Sequence, residues 1–83
     1  MFRFGNDLNI SVTVQQKAAD LLKTALKHGL KKMGKDPKGL AAAALYIAAK
    51  PTAERKTQTE ISEIARVTEV TLRTRAKQIK MNI

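Results

Sequence analysis

Apolar residues recur at intervals of three and four along most of this chain, and polar residues fill the positions between them. In the first such stretch Val14, Ala18, Leu21, Leu22, Ala25 and Leu26 share a side, with lysines between them and Ser11 in front as an N-cap. That spacing predicts an amphipathic helix. Gly29 is placed to take a left-handed conformation at its end, with Leu30 folding back after the cap, and "KHGLKKMGK" reads as the basic loop that follows. In "DPKGLAAAALYIAAK", Asp36 and Pro37 supply a cap and a preset first turn, and Pro51 follows the stop. Between Gly39 and Ala49 the only polar side-chain atom is the Tyr46 hydroxyl. A helix apolar or small nearly all round belongs at the centre of the fold, surrounded by the others.

The charged stretch "KPTAERK" reads as a surface connection. Thr57 with Glu60 three residues later forms a capping box, so a third helix opens near Gln58, with Ile61, Ile64 and Ala65 on its buried side. "RVT" breaks it, and Thr68 caps a fourth helix running from Glu69 towards Asn82. On that last helix, at about 100° per residue, Leu72, Ala76 and Ile79 fall in one narrow arc. Val70, Arg73, Thr74 and Lys77 fall in an arc turned away from it. Val70 is thus an apolar residue among cations on the outer face. No internal repeat or low-complexity segment is evident.

Composition narrows the class. The chain has 83 residues, enough for one domain with a modest core and too few for two. With 43% hydrophobic and 4% aromatic residues, rich in alanine and leucine, it reads as an ordered helical globule with closely approaching helices. There is no cysteine, which removes disulfides and thiolate-held zinc, and the single His28 cannot assemble a histidine metal site. His28, near a helix end where the dipole favours a cation, reads as structural or solvated. The run "LAAAALYIAA" is too short to span a membrane, and "MFRFGNDLNI" lacks the apolar run of a secretory signal, so the expectation is an intracellular protein.

Sixteen Lys and Arg against seven Asp and Glu give a formal net charge of +9. That excess favours a polyanionic partner. Two helices joined by about three residues form a helix-turn-helix pattern, whose second member can lie in the major groove. Arg73 can then give paired hydrogen bonds to guanine, and Val70 can meet a thymine methyl. The bland alternative is a solvated basic face, with Val70 packed on the loop of residues 51–56. Lys27, Lys31, Lys32, Lys35 and Lys38 form a second basic cluster, either a phosphate-facing edge or a solubilising rim.

"GKDPKGLAAAALYIAAK" followed by "TQTEISEIARVTEVTLRTRAKQI" resembles the second cyclin-like repeat of archaeal transcription factor B, the counterpart of eukaryotic transcription factor IIB. The likeness spans residues 11 to 80. It implies an all-α fold, a cyclin-like helical bundle of four to five helices ending in a helix-turn-helix. Residues 1–83 would be a single repeat, with 1–10 a truncated first helix and 57–82 the helix-turn-helix. In that family the recognition helix reads the B recognition element upstream of the TATA box, together with TATA-binding protein. Val70 and Arg73 match the valine and arginine of the family's DNA-reading helix. The expected base-reading set is Val70, Arg73, Thr74 and Lys77. The expected phosphate set is Thr57, Gln58, Arg66, Thr68, Thr71, Arg75 and Lys80, since flanking cations and hydroxyls position a helix without reading sequence.

Two positions depart from the family pattern. Arg66 stands where the turn often carries glycine, and must accept a left-handed conformation or adopt another. Ser62 stands where an interior alanine is common, and its hydroxyl can bond back to its own helix. The family's zinc ribbon, linker and first repeat are absent, so RNA polymerase enters as a partner only in a full-length context. The expectation is a fragment, with a natural single-repeat regulator as the alternative. Phe2 and Phe4 are expected to cover the core rather than stack on bases.

No paired carboxylates, nucleophile with base, or glycine-rich phosphate loop is present, so an enzyme is not expected, and no cofactor is implied. Double-stranded promoter DNA is the leading partner, and the chain is expected to be a monomer. A protein-docking module with Val70 as interface anchor is the runner-up. An amphipathic helix on anionic membrane comes third, because the apolar face of residues 11–28 is needed for the core.

Overall fold

The computed structural model describes residues 9–28 and 37–82, which hold four helices and no strand. They are α1 (Val12–Lys27), α2 (Pro37–Ala49), α3 (Gln58–Ala65) and α4 (Glu69–Met81). Each lies where periodicity placed it. The expected roles of Gly29, Leu30 and Asp36, the packing of Phe2 and Phe4, and the lysines at 31, 32 and 35 fall outside the described residues.

α2 is the centre. It packs against the three other helices, most extensively against α1 and then α4. Leu40 through Leu45, Ala48 and Ala49 are all buried, because alanines on every side let neighbouring helices approach closely. Ile10, Val14, Ala18 and Ala25 close the core from α1, Ile61 and Ala65 from α3, and Leu72, Ala76 and Ile79 from α4. Among the described residues no buried side-chain polar atom lacks a hydrogen-bond partner.

Two positions expected on buried faces are more open. Ile64 is 41% exposed. α3 makes its contacts through Ile61, Ser62 and Ala65, and Ile64 lies about 100° from the middle of that arc. Ser62 occupies the place instead, and its hydroxyl donates to the Thr59 carbonyl at 3.0 Å, the return to its own helix that burial of a serine requires. Leu26 is 37% exposed, at the last turn of α1 and off the centre of that helix's stripe.

The caps are as expected. Thr57 opens α3 with a complete capping box: its hydroxyl accepts from the Glu60 N–H at 3.1 Å, and the Glu60 carboxylate accepts from the Thr57 N–H at 3.3 Å. Thr68 opens α4 by accepting from the Thr71 N–H at 3.1 Å. His28 caps the C-terminus of α1, exposed, with its N–H shared between the Thr24 and Ala25 carbonyls.

Ser11 caps α1, and its surroundings hold a contact that no local pattern contains. The Ser11 N–H donates to one oxygen of Glu54, and its hydroxyl donates to the other at 2.8 Å. The loop after α2 is thereby tied to the start of α1. These two hydrogen bonds, the backbone one first, hold the Glu54 carboxyl below its ordinary value of 4.5, with a smaller contribution from Lys56. A depressed carboxylate stabilises the fold above its unfolded-state value and loses that contribution as pH falls through the lower folded-state value. Thermal melts are therefore expected to show wild type losing stability relative to Glu54→Gln as pH drops below about 4.5. Parallel pH profiles for the two proteins would remove Glu54 as the source.

Candidate nucleic-acid interface

α3, the turn and α4 form a helix-turn-helix. Its turn is Arg66, Val67 and Thr68. Arg66 takes φ 59° and ψ 43°, a left-handed conformation that a glycine would adopt without the steric cost of a Cβ. The turn closes because the Arg66 N–H donates to the Glu63 carbonyl and the Val67 N–H to the Ser62 carbonyl at 3.0 Å. Val67 tucks its side chain against the core, and the Arg66 side chain is left in solvent. Arg66→Gly is expected to raise the melting temperature by several degrees, from relief of roughly 1 kcal/mol of backbone cost. An unchanged or lower melting temperature would mean that Arg66 makes a compensating contact.

α4 divides as the helical wheel requires. Leu72, Ala76 and Ile79 are buried, while Val70, Arg73, Thr74 and Lys77 are exposed. Val70 is 64% exposed, so it does not pack down on the loop of residues 51–56. No hydrogen bond or ion pair among the described residues engages Arg73, Thr74 or Lys77 through its side chain. An exposed guanidinium with no partner among the described residues and an exposed isopropyl group one turn away make a surface with both a hydrogen-bond fork and an apolar contact. α4 carries Arg73, Arg75, Lys77 and Lys80 against the single acid Glu69, which sits in the first turn where the dipole favours it.

The expected phosphate set is more divided. Arg66 and Lys80 are exposed cations. Thr57 donates its O–H to Glu60 at 3.1 Å, and Thr68 donates its own to the Thr71 hydroxyl at 2.9 Å. Gln58 reaches the Tyr46 hydroxyl at 3.4 Å, leaving its second N–H available. Thr71 and Arg75 are half-buried and lie against Gly39 of α2, and Arg75 Nη1 donates to Gln78 Oε1 at 3.1 Å. For these two, packing competes with contact to a ligand.

Among the described residues no group of three or more His, Cys, Asp or Glu could hold a metal ion, and no helix is long and apolar enough to cross a membrane. Lys27 and Lys38, of the second basic cluster, are exposed.

Comparison with known proteins places this arrangement. Residues 1–82 match the family described as the transcription factor TFIIB repeat. Transcription initiation factor IIB 2 of Thermococcus kodakarensis is 51% identical over 77 residues, which are 93% of this chain and 25% of that protein. Transcription initiation factor IIB of Methanopyrus kandleri is 52% identical over the same coverage. The protein of the same name from Pyrodictium occultum is 52% identical over 83 residues, 98% of this chain and 26% of its own length. The chain thus spans about a quarter of the relatives it matches. With its all-α bundle, buried alanine-rich central helix and terminal helix-turn-helix, this chain belongs to the transcription factor TFIIB repeat family.

Proposed function

We propose that the domain binds double-stranded promoter DNA in transcription initiation, laying α4 in the major groove. One observation carries the reading. The helix that buries Leu72, Ala76 and Ile79 turns Val70, Arg73, Thr74 and Lys77 outward, and among the described residues the side chains of Arg73, Thr74 and Lys77 have no hydrogen-bond or ion-pair partner. Arg73 reads guanine through its two-pronged guanidinium, Val70 meets a thymine methyl, and Thr74 and Lys77 complete the reading face. Arg66 in the turn and Lys80 in the last turn of α4 hold phosphates, assisted by the helix starts at Thr57, Gln58 and Thr68. The names of the relatives, transcription initiation factors, support this setting.

The site proposed is the B recognition element upstream of the TATA box, with bound TATA-binding protein completing the contact; RNA polymerase would be engaged only within a longer protein. Alone, the domain binds weakly, and about four or five phosphate contacts give a log–log salt slope of about −4. The test is fluorescence anisotropy of a duplex carrying the element against a scrambled duplex, across a salt series, with and without TATA-binding protein. A preference for the matched duplex, strengthened by TATA-binding protein, supports the reading. Equal binding to both duplexes, unchanged by TATA-binding protein, refutes it.

The second reading, a protein-docking module, draws on the same exposed Val70, with Met81 at the far end of α4 also 75% exposed. Docking through apolar anchors responds little to salt, so the salt series separates the two.

A further inference from the structure

Gly39 stands in the first turns of α2 followed by leucine and four alanines, yet it is buried in an ordinary helix. A helical glycine is less favourable than alanine there, and no positive φ calls for it. The reason lies across the helix interface. A methyl group on Gly39 would stand 3.3 Å from Thr71 Cγ2, 3.4 Å from Arg75 Cγ and 3.8 Å from Arg75 Nε. Thr71 and Arg75 are one turn apart on the side of α4 that faces α2.

The two neighbours differ in how they can yield. Arg75 is long and unbranched at Cβ, so its stem can shift. Thr71 is β-branched and fixed at both ends: its N–H donates to the Thr68 hydroxyl at 3.1 Å, and its own hydroxyl accepts from Thr68 at 2.9 Å. Rotating Cγ2 away would also swing Oγ1 and break the bond it accepts from the Thr68 hydroxyl. A methyl group at position 39 therefore moves the helix instead of the side chain.

We infer that Gly39 is a positioning residue for the reading face: its missing Cβ sets how closely α4 lies on α2, and hence where Val70 and Arg73 are held. The inference rests on the DNA-reading proposal above. A displacement of a few tenths of an ångström at the α4 backbone is amplified at the tip of Arg73, and bidentate base contacts tolerate little misplacement.

The test is a cycle of four forms of this chain: wild type, Gly39→Ala, Thr71→Ser and the double variant. Serine at 71 keeps the hydroxyl that accepts from Thr68 and removes the methyl that meets position 39. Gly39→Ala is expected to reduce the matched-to-scrambled binding ratio about tenfold, with little change in melting temperature because alanine favours the helix. The double variant is expected to return to the ratio of Thr71→Ser alone. A Gly39→Ala ratio equal to wild type overturns the inference, as does a lost ratio that the double variant fails to restore. If wild type itself shows no preference, the DNA-reading proposal has failed, and amide spectra of the same four chains decide the packing claim. Shifts along residues 69–81 in Gly39→Ala that revert in the double variant uphold it; changes confined to the neighbourhood of residue 39 overturn it.

Discussion

Leu45→Ala is expected to remove about 2–5 kcal/mol of stability, a large part of what a domain of this size possesses. Leu45 has no exposed surface and is among the largest fully buried side chains. It sits in the middle of α2, and the residues flanking it along the helix, Ala41 through Ala44, Ala48 and Ala49, have no side-chain length with which to fill the space it would leave. The cavity therefore stays open, which places the cost in the upper part of the range. At about 4–8 °C per kcal/mol for a domain of this size, the melting temperature should fall by more than ten degrees. Urea unfolding followed by circular dichroism checks this, with Ile64→Ala as the reference because Ile64 is partly in solvent. Equal midpoints for the two variants would mean that the centre of the core has been misplaced.

Arg73→Ala should have the largest effect on binding without an effect on folding. The side chain is exposed and makes no hydrogen bond or ion pair among the described residues, so truncation leaves no buried group unsatisfied. Loss of a bidentate contact to guanine costs about 1–3 kcal/mol at the matched duplex, and little at a scrambled one. At about 1.4 kcal/mol per factor of ten, the preference drops five- to a hundredfold or so. Lys80→Ala, by contrast, should weaken both duplexes alike and flatten the salt slope by about one. The two variants separate reading from positioning. If Arg73→Ala also weakened both duplexes equally, Arg73 would be a phosphate contact and the base-reading face would lie elsewhere.

Much of the architecture is legible in the sequence. The four helices, the Thr57 capping box, the Thr68 cap and the buried seam of Leu72, Ala76 and Ile79 follow from signals no more than a few residues apart, which the chain carries wherever it folds. The outward placement of Val70, Arg73, Thr74 and Lys77 follows from the same period, since a face opposite a buried seam is exposed by geometry. Ile64 and Leu26 were misplaced because the period names an apolar stripe without saying how wide the neighbouring helix is or where it stops.

The sequence by itself thus determined the helices, their caps and the division of α4 into an inner and an outer face, all consequences of local hydrogen bonding and a 3.6-residue repeat. The tertiary structure alone decided three things. Arg66 was given a left-handed turn where two conformations were open, because the turn must deliver Val67 to the core. Glu54 was brought to Ser11 across 43 positions of chain. Thr71 and Arg75, a hydroxyl and a cation readable as phosphate contacts by type, were half-buried against Gly39. Each of these depends on the distance between segments remote in sequence, and that distance is set by the packing of the whole core, which no window of residues contains.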